Sequence, residues 1–181
     1  MRSKIVFWGL VLISCIGLSC EPVNPFGPTY DVEGNLARDR ELIDQYLETA
    51  QIDSLYRIHD PNGVVIIVQK EGDGAFPVDR NLIYTHYTGM LLDGTVFDTS
   101  LEDVAIANDI FDENRVYRIF EFTIGQRDAI EGFTIGFRRI RSGSKAVLII
   151  PSPWAYQDNP NLERIPANSI LKFEVDFLGM D

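Results

Sequence analysis

Two aromatic side chains and a carboxylate lie within one short hairpin of the sequence. The stretch YTGMLLDGTVFDTS, residues 87–100, is centred on Asp93-Gly94, a dipeptide that tolerates positive φ and favours a tight turn between two strands. Tyr87 stands on the first strand and Phe97 on the second, and Asp98 follows directly after the second ring. Such a set is either an ordinary turn with a surface acid or the rim of an apolar pocket that has one polar anchor.

The remaining residue types argue against metal, cysteine and nucleic-acid chemistry in the folded part of the chain. Cys15 and Cys20 are the only cysteines, and His59 and His86 are not spaced as a pair of metal ligands. The net charge of -11 argues against nucleic-acid binding, because phosphates require clustered Lys and Arg. We therefore expect no metal and no cofactor. A chain of 181 residues with 45% hydrophobic content is long enough for one domain with a substantial core.

Segments rich in β-branched and aromatic residues predict a mostly antiparallel sheet. The last segment, LKFEVDF at residues 171–177, alternates strictly between apolar and charged residues. This alternation indicates a sheet with one buried face and one wet face. The other predicted strands are residues 64–70, 81–90, 119–124 and 145–150.

One internal helix is predicted in DAIEGFTIGFRRIRSG, residues 128–143. Asp128 is available to cap its start, and its apolar residues recur at helical spacing: Ile130, Phe133, Phe137 and Ile140. Gly132 and Gly136 weaken a helix, so their presence indicates a close approach of the helix to the sheet. The predicted fold class is α+β, a twisted antiparallel sheet wrapped over one short helix.

The N-terminal segment predicts a targeting signal, a tether and a first helix. Residues 1–19 have a basic start and an apolar run too short to span a membrane comfortably, followed by Cys20. This ending resembles the lipobox of bacterial lipoproteins, in which the cysteine is lipidated. A plain secretory signal and an anchor helix are the alternatives. Residues 20–34 are rich in Pro and Gly and predict a tether, and residues 35–55 predict an amphipathic helix capped by Asn35. Its apolar stripe either packs on the following domain or forms a dimer surface.

From about Tyr56 to Asp181 the chain resembles the FKBP-type peptidyl-prolyl cis-trans isomerases. Four separated motifs follow the order of that family: HYTGMLLDGTVFDTS, FTIGQRDAIEGFTIGFRRIRSGSKAVLIIP, WAYQ and IPANSILKFEVDFL. The resemblance implies an FKBP-like half-barrel with the helix across its concave face, and a domain spanning residues 56–181.

The same resemblance implies roles for ten residues of a proline pocket. Those that would act on the substrate most directly are Tyr87, Phe97, Asp98, Tyr156 and Phe173. Those that would complete the binding surface are Phe120, Ala129, Ile130, Phe133 and Ile165. Within this set the family uses the backbone N–H at Ile130 to hold a substrate carbonyl, and Phe133 would form the floor of the pocket. Taken singly, each aromatic residue also fits an ordinary core position.

Residues 101–119 form a connection that is longer than the family's usual one. It begins beside Asp98 and ends beside Phe120, so we expect it to border the pocket. It is either a lip that selects substrates by charge or a solvated loop without a role. The arginine that the family usually has in this region has no clear counterpart, and both Arg115 and Arg118 are candidates to pair with Asp98.

The functional expectation is a lipid-anchored isomerase of the bacterial cell envelope that assists the folding of exported proteins. Its partners would be proline-containing polypeptides and, through the lipid on Cys20, a membrane in the periplasmic or outer-membrane compartment. Lipoproteins of this family that support envelope machinery such as gliding motility suggest a narrower role. The alternatives are a proline-peptide binding module or tethered chaperone without catalysis, and a purely structural lipoprotein.

Overall fold

The structure, a computed structural model, describes residues 29–181. Its strands are β1 (Tyr56–His59), β2 (Val65–Lys70), β3 (Leu82–Leu91), β4 (Val96–Thr99), β5 (Phe120–Thr123), β6 (Lys145–Ile150) and β7 (Leu171–Met180). Its helices are α1 (Val32–Thr49), α2 (Glu102–Ala107) and α3 (Glu131–Phe137), and a 3-10 turn spans Ser152–Trp154. The strands form one antiparallel sheet in the order β1-β2-β6-β7-β3-β4, and β5 pairs with the first residues of β3.

The main core lies between the inner face of the sheet and α3. The alternation predicted for β7 is confirmed, since Leu171, Phe173, Val175 and Phe177 are buried while the residues between them are partly or fully exposed. Phe137 of α3 packs edge-to-face on Phe177, with 5.2 Å between ring centroids. The predicted architecture of an antiparallel sheet wrapped over one short helix is therefore confirmed. α2 is an additional short helix within the predicted connection of residues 101–119.

A second core lies on the outer face of β2 and β6, where the sequence analysis predicted a wet face. Ile43 of α1 is buried there against four sheet residues, Val65, Ile67, Val147 and Ile149. These two strands are apolar on both faces because α1 covers the face that the other strands expose to solvent. The apolar stripe of α1 thus packs on the following domain, which is the first of the two roles considered for it, the other being a dimer surface.

The helix α1 starts earlier than the sequence pattern predicted. Asp31, not Asn35, is the N-cap, because its side chain accepts a hydrogen bond of 2.9 Å from the Gly34 N–H. The helix therefore takes up the last residues of the predicted tether of residues 20–34 and ends at Thr49, before the predicted boundary at residue 55. The signal of residues 1–19 and Cys20 lie outside the described residues.

The start of α3 also differs from the prediction. Asp128 does not cap it; its carboxylate instead accepts a hydrogen bond of 2.9 Å from the Thr123 N–H at the end of β5. The helix begins at Glu131 after Ile130, whose side chain makes no capping hydrogen bond. The carboxylate of Asp128 thus stabilises the turn that precedes the helix.

Two glycines allow α3 to lie directly on β6, as the sequence predicted. A Cβ at Gly132 would lie 2.3 Å from the Cγ2 atom of Ile150, and a Cβ at Gly136 would lie 2.8 Å from a methyl carbon of Leu148. Both distances are far below van der Waals contact, so the helix sits closer to the sheet than any larger residue permits.

Replacing Gly132 by alanine is expected to lower the free energy of unfolding by about 1–3 kcal/mol, because the new methyl group overpacks the interface with Ile150. The effect outweighs the higher helix propensity of alanine, which is about 1 kcal/mol. Gly179→Ala is the matched control, since a Cβ there meets no atom within 4 Å. Denaturant unfolding measures both variants, and equal stability of the two would contradict the close approach.

Candidate active site

A small cavity of about 240 Å³ opens between α3, the inner face of the sheet and the loop after β6. Eight of the ten predicted site residues line it: Tyr87, Asp98, Phe120, Ala129, Ile130, Phe133, Tyr156 and Phe173. The ninth lining residue is Asp128, which the sequence analysis considered only as a helix cap. Residues separated by more than eighty positions in the chain thus meet around one apolar space.

The two other predicted residues, Phe97 and Ile165, line a neighbouring cavity of about 310 Å³. This second cavity shares Asp98 and Tyr156 with the first, and Leu162 also lines it. Phe97 stands behind the wall of the first cavity, with its ring 5.6 Å from that of Phe173 in an edge-to-face contact. The two cavities therefore form one groove that passes over the Asp98 carboxylate.

The walls of the first cavity are aromatic rings that hold one another edge-to-face. The Phe133 ring lies 4.8 Å from that of Phe173 and 6.1 Å from that of Tyr87. Tyr87 in turn lies 5.3 Å from Phe120. Such contacts between rings are more favourable than their buried area alone predicts, and they fix the orientation of each ring. The result is a rigid apolar pocket.

One carboxylate, that of Asp98, stands at the rim of this apolar pocket. It accepts a hydrogen bond of 2.6 Å from the Tyr87 hydroxyl and one of 2.9 Å from the Thr99 N–H. It also forms an ion pair with the Arg115 guanidinium, which in turn lies 3.4 Å from the Tyr87 hydroxyl oxygen. The acid of the hairpin therefore lies at the cavity, and both of its carboxylate oxygens are engaged.

The surroundings of the cavity keep its two tyrosines in their neutral form. The pKa of Tyr87 is raised well above its usual value, first by burial and then by the hydrogen bond to the Asp98 carboxylate. The pKa of Tyr156 is also raised, by the partial removal of its side chain from water, although 37% of the residue stays exposed, and by the negative charge of Asp98. Both hydroxyls are therefore hydrogen-bond donors throughout the physiological pH range. Among residues 29–181, the Tyr156 hydroxyl has no protein partner, which leaves it available at the mouth of the cavity.

The long connection of residues 101–119 does border the pocket, and it supplies Arg115 as the partner of Asp98. The guanidinium of Arg115 also lies 5.2 Å above the ring of Tyr117, whose other neighbour is the stacked ring of Phe111. A third cavity of about 230 Å³ lies between this connection and the wall formed by Tyr87 and Phe120. Of the two candidate arginines in this connection, Arg115 and Arg118, the one that reaches Asp98 is Arg115.

The loop after β6 holds Tyr156 in place through an unusual backbone conformation. Gln157 has φ of 57°, in the left-handed region that favours glycine. Its carbonyl accepts a hydrogen bond of 2.7 Å from the Asn168 N–H, and its side-chain amide donates to the Pro153 carbonyl. The turn that follows Tyr156 is thus formed by a non-glycine residue that these two hydrogen bonds hold in the left-handed conformation.

The backbone before α3 presents a donor to the cavity wall. Ile130 has extended backbone angles, with φ of −64° and ψ of 147°. Within the described part of the chain, its N–H donates to no protein acceptor. A substrate carbonyl is a suitable acceptor for this group, as the family resemblance implied.

The site is built without ligands for a metal ion. Over residues 29–181, no group of three or more His, Cys, Asp or Glu side chains is arranged to hold one. In the same part of the chain, no helix is long and apolar enough to cross a membrane. The cavity itself combines aromatic walls with polar groups that include the Asp98 carboxylate, the Tyr156 hydroxyl and the Ile130 N–H.

Comparison with known proteins decides the family. Residues 74–178 match the family model of the FKBP-type peptidyl-prolyl cis-trans isomerases, which is more than half of the chain. The chain belongs to this family. All nine residues that line the first cavity fall within the matched range, whereas α1 lies before it.

Relatives from animals and bacteria share this FKBP-type domain. The chain is 34% identical over 120 residues to the peptidyl-prolyl cis-trans isomerase Fkbp12 of Drosophila melanogaster, an alignment that covers 66% of this chain and 99% of the relative. It is also 34% identical to the isomerase FkpA of Aeromonas hydrophila, over 66% of this chain but 39% of that protein.

Solved structures confirm the FKBP fold. A peptidyl-prolyl cis-trans isomerase from Pseudomonas syringae pv. tomato superposes with a TM-score of 0.61 at 20% identity, over 86% of this chain and 99% of that one. FkpA of Escherichia coli superposes with a TM-score of 0.58 at 26% identity, over 83% of this chain and 62% of that one.

Proposed function

We propose that the chain accelerates cis–trans isomerisation of Xaa-Pro peptide bonds in the cavity beside α3. The observation that carries this proposal is the combination of aromatic walls with the Asp98 carboxylate at the rim, within a chain of the FKBP-type isomerase family. The reaction forms and breaks no covalent bond, so it requires no nucleophile, base, metal or cofactor.

The barrier to be lowered is the resonance of the amide. Rotation about a peptide bond faces about 18–20 kcal/mol, and an uncatalysed Xaa-Pro bond exchanges on the scale of tens of seconds or more. In the twisted transition state this resonance is lost, so the carbonyl is less polar than in the planar amide. A cavity walled by aromatic rings and poor in water therefore favours the twisted state over the planar one.

The polar groups at the rim are proposed to hold the peptide while the bond turns. The Tyr156 hydroxyl and the Ile130 N–H would each donate to a substrate carbonyl on either side of the prolyl ring, which would lie against Phe133 and Phe173. Asp98 would orient the Tyr87 hydroxyl and fix the rim. Phe97 and Ile165, in the neighbouring cavity, would contact the residues that flank the proline.

We further propose that the substrates are exported polypeptides and that a lipid on Cys20 holds the enzyme at a membrane of the cell envelope. The basic start, the short apolar run and the polar, proline-rich segment after Cys20 support this anchor. Support of envelope machinery such as that of gliding motility is the narrower form of this proposal.

Cys20→Ser is expected to move the protein from the membrane fraction to the soluble fraction of its host, because the lipid would have no attachment site. Cys15→Ser, five residues earlier in the same segment, is the matched control and is expected to leave the protein on the membrane. Membrane retention of Cys20→Ser would overturn the anchor.

The alternative function is a proline-peptide binding module, or a tethered chaperone, that lacks catalysis. The groove that extends the cavity towards Ile165 and the third cavity beside the connection of residues 101–119 favour it, because both offer contact area beyond a prolyl ring. The two functions differ in a refolding experiment on a protein whose slow phase is a prolyl isomerisation. An isomerase raises the rate of the slow phase in proportion to its concentration, whereas a binding module changes the yield and leaves the rate unchanged.

A further inference from the structure

A fully buried carboxylate, that of Asp39, lies near the middle of α1. It is one of the few charged side chains with no exposed surface in the described part of the chain. Removing a carboxylate from water is unfavourable unless charged or hydrogen-bonding partners compensate for the lost solvation. The hydrogen-bonding partners of Asp39 therefore indicate the structural role of this buried carboxylate.

The main partner of Asp39 is Ser152, which lies 113 residues later in the chain. One carboxylate oxygen accepts hydrogen bonds from both the Ser152 N–H, at 2.7 Å, and the Ser152 hydroxyl, at 2.6 Å. The other oxygen accepts a hydrogen bond of 2.9 Å from the Nε atom of Arg38. The Ser152 hydroxyl oxygen in turn lies 3.1 Å from the Tyr30 hydroxyl.

Ser152 begins the loop that carries Tyr156. Its carbonyl accepts hydrogen bonds from the Ala155 N–H and from the Gln157 N–H, both at 3.1 Å. These two donors stand on either side of Tyr156. The position of the Ser152 backbone thus determines the position of the residue that we propose as a donor to the substrate.

The returning part of the same loop is also bound to α1. Arg38 donates a hydrogen bond of 3.1 Å to the carbonyl of Asn168, and the Asn168 N–H donates to the carbonyl of Gln157 at 2.7 Å. Adjacent residues of one helix, Arg38 and Asp39, therefore contact both segments of the loop. Both contacts connect α1 to the loop that carries Tyr156.

The α1 side of this arrangement, Arg38 and Asp39, lies outside the part of the chain that the FKBP family model matches, residues 74–178, whereas the loop it holds lies within that part. We propose that Asp39 is a positioning residue, through which α1 holds the loop of residues 151–170 so that Tyr156 stands at the mouth of the cavity. The proposal rests on the proposed isomerase function for its catalytic consequence. The helix α1 then has two roles: it covers the outer face of the sheet, and it supports the loop that carries Tyr156.

Asp39→Ala in the full chain tests the proposal, because it leaves the N–H and hydroxyl of Ser152 without their acceptor. We expect kcat/KM for an Xaa-Pro peptide to fall about tenfold and amide hydrogen exchange to accelerate selectively at residue 152, residues 154–157 and residues 167–168. Ile43→Ala is the matched control, since Ile43 is equally buried on α1 but contacts the sheet. It is expected to lower stability while leaving kcat/KM and the exchange of the loop unchanged.

Two further variants keep the test decisive if Asp39→Ala does not fold. Asp39→Asn retains one acceptor oxygen, and Ser152→Ala retains the backbone donor and the ion pair, so each is expected to give a smaller change of the same kind. Equal effects of the Asp39 and Ile43 variants, or unchanged loop exchange in the Asp39 variants, would overturn the positioning role. If the unmodified chain shows no isomerase activity, the proposed function fails separately, and the hydrogen exchange of the loop still decides whether Asp39 positions it.

Discussion

Phe173→Leu is expected to lower kcat/KM for Xaa-Pro isomerisation by about tenfold to a hundredfold while the chain still folds. The Phe173 ring contacts the rings of Tyr87, Phe97 and Phe133, and it is almost fully buried between them. Leucine fills less of this space and has no flat face, so the cavity becomes wider and admits water. Each tenfold loss corresponds to about 1.4 kcal/mol of stabilisation that the twisted state no longer receives.

Phe177→Leu provides the matched control for this prediction. Phe177 is on the same strand and the same face, is fully buried, and packs on Phe137 outside the cavity. Both variants are expected to lose about 1–2 kcal/mol of unfolding free energy through lost contacts. Kinetics of a proline peptide together with denaturant unfolding separate the two effects. If the two variants lose stability and activity to the same extent, Phe173 is an ordinary core residue.

Asp98→Ala is expected to lower kcat/KM by about tenfold to a hundredfold as well, for a different reason. The substitution removes the acceptor of the Tyr87 hydroxyl and leaves the Arg115 guanidinium at the rim without its partner. Hydrogen bonds to charged groups contribute roughly 1.5–3 kcal/mol, which corresponds to this range of rates. The Tyr87 hydroxyl is then free to turn into the apolar cavity and raise its polarity.

Asp93→Ala is the control on the same hairpin, because Asp93 is exposed and accepts a hydrogen bond only within the turn, from the Thr95 N–H. It is expected to leave kcat/KM unchanged. Arg115→Ala is expected to have an intermediate effect, since Asp98 keeps its hydrogen bond to Tyr87. If Asp98→Ala is as active as Asp93→Ala, Asp98 is an ordinary turn residue and has no role in the site.

The parts of the site that the sequence predicted well are those that regular periodicity determines. The strict alternation of β7 places Phe173 and Phe177 on one face whatever the neighbouring elements are. Gly132 and Gly136, which recur on one face of α3, predicted the close approach to β6 for a steric reason that holds in any fold. The family resemblance then predicted ten site residues, and the structure places eight of them around one cavity.

The partner of Asp98 could not be predicted because a loop conformation determines it. Arg115 and Arg118 lie at similar distances along the chain from Asp98, and no periodicity distinguishes them. The choice follows from the stacking of Phe111 on Tyr117 and from the placement of Arg115 over the Tyr117 ring. These contacts between residues of an irregular segment have no signature in a single sequence.

The role of α1 was predicted only in part, because a charged residue usually indicates a solvent-exposed position. The apolar stripe correctly predicted that the helix packs on the following domain. Asp39 lies on the buried side of that helix, but its type gave no reason to expect zero exposure. Only the position of Ser152, far along the chain, explains a buried acid there. A local sequence pattern cannot contain such a contact.

The most direct test of the isomerase measures cis–trans exchange in a short peptide that has one Xaa-Pro bond. Two-dimensional exchange NMR monitors this exchange in the presence of a small amount of the full chain. We expect exchange peaks to appear between the cis and trans forms of the peptide. We also expect the exchange rate to rise in proportion to the concentration of the chain. Catalysis would be contradicted if the exchange rate stayed at the uncatalysed value while the peptide resonances shifted and reached a plateau as more of the chain was added. The cavity beside α3 would then be a binding site for proline peptides on an FKBP fold.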